Sequence, residues 1–174
     1  MSGAAVLPAL LALCLTVSYG AQVAFLPLHT ASMGVNSGVF FLIFAVAITV
    51  VRGPAGRLSD RIGRRPVAAA GLSCAALAMV LLALSDGVWG LVAAGGVYGL
   101  AYGITQPAAL IAWSVDSVPE GERGRAVGTY HTAFELGIVI GATLAGLVIA
   151  RWGNAATFLG TAAVARAADS KPRT

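Results

Sequence analysis

Charged side chains are scarce in this sequence: Asp, Glu, Lys and Arg make up 10% of its 174 residues, against about 25% in soluble domains. A chain so poor in charge cannot cover a water-facing surface, which excludes a lone soluble domain. Cysteine is nearly missing too. Cys14 and Cys74 both fall inside apolar stretches, where a thiol behaves as a small hydrophobe, and their spacing makes no metal site. The two histidines, His29 and His131, stand too far apart to suggest a metal pair. Enzyme signatures are lacking: there is no GxSxG elbow, no HExxH zinc pair and no GxxxxGK(S/T) phosphate loop. No catalysis, cofactor or metal is therefore expected. The first apolar stretch has no basic residue before it and is too long and wrongly flanked for a cleaved signal peptide, so it reads as a first membrane span.

What the chain has instead is apolar surface, 58% hydrophobic residues with a mean hydropathy of +0.86. Its length allows roughly six to eight crossings at about 20 residues each. A net charge of +4 could suggest nucleic acid. The basic residues, however, sit in short gaps between apolar runs, as in membrane loops. The expected partner is the lipid bilayer, with no nucleic acid.

Cutting the chain at charges and turn residues leaves six segments, at about 4–28, 33–51, 67–84, 88–113, 126–150 and 154–168, with 169–174 as a cytoplasmic tail. The first five can each cross a bilayer. The sixth has a clean apolar run, 155–165, of only about 17 Å at 1.5 Å per residue, short of a core of about 30 Å. Orientation follows from Lys and Arg. With the N-terminus inside, Arg52, Arg57, Arg61, Arg64, Arg65, Arg123, Arg125, Arg166, Lys171 and Arg173 lie on the cytoplasmic side and Arg151 alone lies outside. Both termini are then cytoplasmic, in a multi-pass protein of the plasma or inner membrane. The same assignment makes 52–66 and 114–125 the two substantial inner loops.

Glycine recurs at intervals of four inside the spans. Gly95, Gly99 and Gly103 do so in the fourth segment and are followed by Pro107; Gly137, Gly141 and Ala145 do so in the fifth. Small residues at that interval form a groove through which helix backbones approach closely in lipid. Beside plain packing stands a second reading, a kinked gating helix around 103–107, because proline removes a backbone hydrogen bond.

Between the second and third segments lies the stretch Arg52-Gly-Pro-Ala-Gly-Arg-Leu-Ser-Asp-Arg-Ile-Gly-Arg-Arg-Pro66. Gly56 and Gly63 permit close backbone approach and unusual dihedrals. Asp60, the only acid among five arginines, can pair locally or face the positive end of a neighbouring helix. Arg64 and Arg65 suit an anionic leaflet. A generic positive loop would explain the arginines but not the interleaved glycines and aspartate. The stretch resembles the signature of the Major Facilitator Superfamily, which Gly56, Arg57, Leu58, Asp60, Arg61, Gly63, Arg64 and Arg65 carry in this chain. Pro119, Arg123, Gly124 and Ala126 fit the family's link between the fourth and fifth helices, so the resemblance covers nearly all of residues 5–150.

The resemblance implies an all-α integral membrane fold: one six-helix half-bundle, its last helix short, built from 3+3 inverted repeats. Family chains carry two such halves with the substrate path between them. The stretch Phe134-Glu-Leu-Gly-Ile138 with Gly141 and Gly146 looks more like the second, C-terminal half. A break just ahead of the seventh family helix would account for the missing basic leader. The implied partners are a small-molecule solute and either the missing half-bundle or a second copy in a homodimer.

Glu135 falls near the middle of the fifth segment, where an ionised side chain costs on the order of 3 kcal/mol to insert. His131, four residues earlier, shares its helical face. The pair could exchange protons in a hydrated cavity, or could form a hydrogen bond that only fixes packing. Gln22, Thr105 and Gln106 are neutral polar residues within spans, able to contact a solute or bridge helices. Tyr19, Tyr102 and Tyr130 can line a cavity or anchor at an interface, and Trp113, near the inner boundary, reads as an anchor. Three functions compete. The first is a secondary active transporter of a small solute, or the C-terminal half of one, working by alternating access, which the Glu135 and His131 pair could couple to protons; the others are a truncated half that does not transport and a six-helix channel or scaffold.

Overall fold

The computed structural model describes residues 3–152. They form α1 (Gly3–Ser32), α2 (Gly38–Ile62), α3 (Arg64–Ala83), α4 (Val88–Asp116), a 3-10 turn (Glu120–Glu122) and α5 (Arg123–Trp152). All five long helices are apolar enough to cross a membrane, and the described residues contain no strand. In hydrocarbon every backbone N–H and C=O must be satisfied within the chain, which leaves the helix as the available local structure. The expected sixth span at 154–168 and the tail at 169–174 lie outside the described residues.

The helices outrun the apolar segments. The stretch 52–66 is not an open loop: α2 continues through Ile62, only Gly63 breaks it, and α3 begins at Arg64. Arginine is a good helix former, so the charges mark where the solvent changes and not where the helix ends. The break itself needs glycine, because Gly63 has φ +97°, a conformation costly for any residue with a Cβ. On the other side of the loop question, α4 likewise runs on to Asp116, which shortens the 114–125 connection to a few residues around the 3-10 turn.

Successive helices alternate in direction, so Gly63 and the 117–122 connection share one end of the bundle while 33–37 and 84–87 share the other. Helix α1 packs along α5, α2 and α3 pack along α4, and α1 crosses α4, which makes α1 and α4 the inner pair. The larger core cluster gathers Leu15, Leu26, Phe40, Phe44, Leu72, Met79, Leu82 and Tyr98. A smaller one gathers Ala12, Val67, Ala68, Leu110 and Tyr130 at the arginine end.

Two seams of small residues hold the pairs. A Cβ added at Gly95 would stand 2.8 Å from the Phe40 carbonyl oxygen, and one at Gly103 would strike the Val51 side chain. Gly99, between them, lies against the backbone of Phe44. On α5, a Cβ at Gly137 would come within 2.7 Å of the Leu13 carbonyl oxygen, while Gly141 abuts the backbone of Val17 and Gly20 of α1 abuts Ile138. Helix α4 also kinks. Gln106 has φ −69° and ψ −130°, outside the helical region, and it immediately precedes Pro107, a position from which proline sterically drives a residue out of α.

Adding one methyl group separates seam from surface. Gly141→Ala must push α1 and α5 apart and should cost about 1–3 kcal/mol, whereas Gly128→Ala, which meets open space, should be neutral or slightly stabilising. Thermal unfolding in detergent reads both; equal midpoints for the two variants would show that the α1–α5 seam is not tight.

Candidate functional site

The signature residues are divided between protein contacts and exposed positions. Arg64 is the centre of the first set. Its Nη1 lies 2.6 Å from Asp60 Oδ1 and donates to Ser59 Oγ at 3.2 Å, and its Nε donates to Asp116 Oδ2 at 3.1 Å. The aspartate therefore pairs locally, one turn away, and the same guanidinium reaches across to the end of α4. Arg65 lies over the Trp113 ring at 5.3 Å from its centroid, close enough for a cation–π attraction. Trp113 thus has a partner within the protein. Arg57, Leu58 and Arg61 are exposed. Gly56, expected to allow a close approach, meets open space instead; of the two signature glycines, Gly63 is the one with a positive φ.

Gln22 and Gln106 are both inside the bundle. Gln22 is fully buried; its Nε2 donates to Met79 Sδ at 3.3 Å, while its Oε1 has no hydrogen-bond partner. One turn earlier on α1, Ser18 Oγ and Tyr98 Oη lie 2.9 Å apart. At the α4 kink, Gln106 Oε1 accepts from Tyr130 Oη, and Gln106 Nε2 has no partner. The Tyr102 hydroxyl is likewise buried without one. Rings surround these groups: Tyr19 and Tyr102 are 5.3 Å apart, Phe44 and Tyr98 5.5 Å, Tyr98 and Tyr102 5.9 Å. Each buried polar atom left unpaired costs about 1–3 kcal/mol, so their concentration along α1 and α4 marks a polar core of functional interest. The Thr105 hydroxyl folds back on the Ala101 carbonyl at 2.6 Å and fills the space over Gly71.

Ser18 and Tyr98 were not singled out from the sequence, although a signal exists. Ser18 and Gln22 are four residues apart on α1, as are Tyr98 and Tyr102 on α4, so each pair presents two polar groups on one helical face.

His131 and Glu135 occupy a different place. Both are exposed on α5, where with Thr132, Leu136 and Val139 they line a shallow groove. Neither makes a hydrogen bond or ion pair among the described residues, so the carboxylate and imidazole share a face without being joined. The His131 ring packs at 5.6 Å from Tyr130 and 6.4 Å from Phe134, and Phe134 reaches Tyr102 at 6.5 Å. Those rings are the physical link between the groove and the polar core. No cluster of three or more metal-ligating side chains occurs among the described residues.

Residues 3–168 match the family described as Major Facilitator Superfamily. Among curated proteins, the chain is 31% identical over 121 residues to the inner membrane transport protein YajR of Escherichia coli strain K12, covering 70% of this chain and 26% of that one. It is 34% identical over 144 residues to the class D tetracycline resistance protein of Salmonella ordonez, covering 76% and 36%. Its identity to a multi-drug resistance efflux pump PmrA homolog of Lactococcus lactis is 32% over 150 residues, covering 82% and 36%. The matched region spans about a third of each relative's length or less.

If the Arg64–Asp116 contact ties the ends of α3 and α4, a double-mutant cycle with Arg64→Ala and Asp116→Ala should give a coupling of about 0.5–1 kcal/mol, the scale of part-exposed pairs. Arg64→Ala alone should cost more than Asp116→Ala, because it also releases Asp60 and Ser59. A coupling of zero in detergent unfolding would make the contact idle.

Proposed function

Because the chain belongs to the Major Facilitator Superfamily, we propose that it acts as a six-helix half, of C-terminal type, of a secondary carrier that exports a small organic solute against a proton gradient. It is a transporter by family and a multi-pass integral membrane protein by its helices. The finer reading rests chiefly on Glu135. A carboxylate without a protein partner stands on an otherwise apolar helix face, one turn from an imidazole, at a depth where an ionised group is costly and needs a role. Protonating Glu135 removes that cost, and a gradient can therefore bias which way its face is presented. His131, one turn away on the same exposed face, is the group through which the proton arrives or leaves.

In this mechanism one bundle rocks against another about a site near the midplane. The α5 groove supplies the wall that meets the solute, and the rings of Phe134 and Tyr102 carry its displacement to the polar core. The names of the relatives support export of drug-like molecules, tetracycline among them. Both termini and the arginine end face the cytoplasm in this arrangement, as the distribution of Lys and Arg favours. A carrier of this kind moves its solute without chemical change, so no enzymatic step is assigned.

One observation favours a second bundle as partner, either a separate half or another copy of this chain. Large apolar side chains stand open on the faces of α2 and α5, including Leu42 at 63%, Val50 at 68%, Val139 at 62% and Leu147 at 63% exposure. Val139 is also part of the groove that holds Glu135.

Proteoliposomes made with and without a pH gradient test the reading, using tetracycline as the transported probe. Gradient-driven flux should fall at least about tenfold in Glu135→Gln with the unfolding midpoint unchanged, and His131→Asn should displace the pH profile. Flux that ignores the gradient would favour a channel, and no flux of any probe from the chain alone would assign it to a half that needs its partner.

A further inference from the structure

The arginines around Gly63 separate by what they face. Arg64 and Arg65 are committed to Asp60, Asp116 and Trp113. Arg57 and Arg61, four residues apart on the last turns of α2, are exposed and have no acidic partner among the described residues. Asp60 does not neutralise them, because Arg64 holds it at 2.6 Å, and Glu120 is occupied by Arg123 at 3.4 Å. Immediately beside the two arginines, also four residues apart, stand Leu58 and Ile62, 47% and 55% exposed. The helix end thus carries two parallel strips, one of guanidinium groups and one of branched aliphatic side chains.

Depth decides what such strips can meet. At 1.5 Å per residue the 25 residues of α2 extend about 37 Å, beyond the roughly 30 Å of hydrocarbon. The final turns therefore reach the headgroup layer, where long basic side chains lay their stems along apolar surface and set their charge among phosphates. Guanidinium groups on adjacent turns are about 6 Å apart at the backbone and bind phosphate oxygens bidentately. An aliphatic strip alongside is of no use to a free phosphate ion but suits the first methylenes of an acyl chain.

We propose that the end of α2 is a binding strip for an anionic phospholipid, with Arg57 and Arg61 on its phosphate and Leu58 and Ile62 along its acyl chain. This goes beyond the transport reading and does not depend on Glu135. It gives the exposed signature arginines a ligand, whereas Arg64 and Arg65 serve the fold.

The test uses the full chain purified in detergent and transferred to nanodiscs of phosphatidylcholine with or without phosphatidylglycerol, with retained lipid counted by native mass spectrometry. Wild type should retain phosphatidylglycerol in preference to phosphatidylcholine. Arg57→Gln with Arg61→Gln should weaken phosphatidylglycerol retention by about thirty-fold, taking about 1 kcal/mol for each arginine near a charged surface, and leave phosphatidylcholine unaffected. Arg57→Lys with Arg61→Lys, which keeps the charge but not the fork, should fall between, and it also serves if the glutamine variant does not fold. Leu58→Gln with Ile62→Gln should weaken both lipids. Equal retention of the two lipids by wild type would overturn the proposal. So would a glutamine variant that binds like wild type, or inorganic phosphate raising the unfolding midpoint as far as phosphatidylglycerol does. Crosslinking of Leu58→Cys to a second copy in the bilayer would also overturn it, by showing that protein and not lipid covers the strip.

Discussion

Hydrocarbon offers helices no hydrophobic reason to associate, since lipid tails are as apolar as leucine, so this bundle depends on how closely its backbones can approach. The two glycine seams answer that constraint. Gly95, Gly99 and Gly103 bring α4 onto α2, and Gly137, Gly141 and Gly20 bring α5 onto α1. Close approach multiplies van der Waals contact along the whole crossing, and each contact is small but the sum is large. Everything else in the molecule is positioned by these two crossings, including the polar core between α1 and α4 and the groove on the far side of α5.

The polar groups follow a second logic, set by depth. At the arginine end they pair with one another or point outward, as Arg64 and Arg57 respectively do. Inside the bundle, neutral groups replace charges: Ser18 with Tyr98, Gln22 with Met79, Gln106 with Tyr130. Among the described residues the single carboxylate at that depth, Glu135, is placed on an open face and not in the core. Burial would have demanded a permanent counter-charge, which the open position does not.

Much of this was legible in the sequence, and the failures have a common cause. The apolar runs located five helices, the interval of four located both seams, and Pro107 located the kink that Gln106 shows. Cutting at charges, however, ends the second segment at residue 51, because charge marks the membrane boundary and the α2 helix runs past it to Ile62. The faces were harder still. A soluble helix declares its buried side by its apolar stripe, but here exposed residues such as Val50 and Leu147 are as apolar as core residues such as Leu15 and Leu72. Nothing in the periodicity of α1 or α5 told that Gln22 would be fully buried and Glu135 exposed. The same ambiguity hid the division of the arginines, which turns on one glycine dihedral.

That dihedral has a mechanical consequence. Helices α2 and α3 are joined by a single residue, while the opposite end of the bundle has connections of four to five residues, 84–87 and 33–37. A joint of one residue has almost no slack, and Arg64 fastens it to the foot of α4. A displacement of α2 at the arginine end would therefore be passed directly to the start of α3 and the foot of α4, whereas the longer connections at the opposite end leave more slack between the same helices.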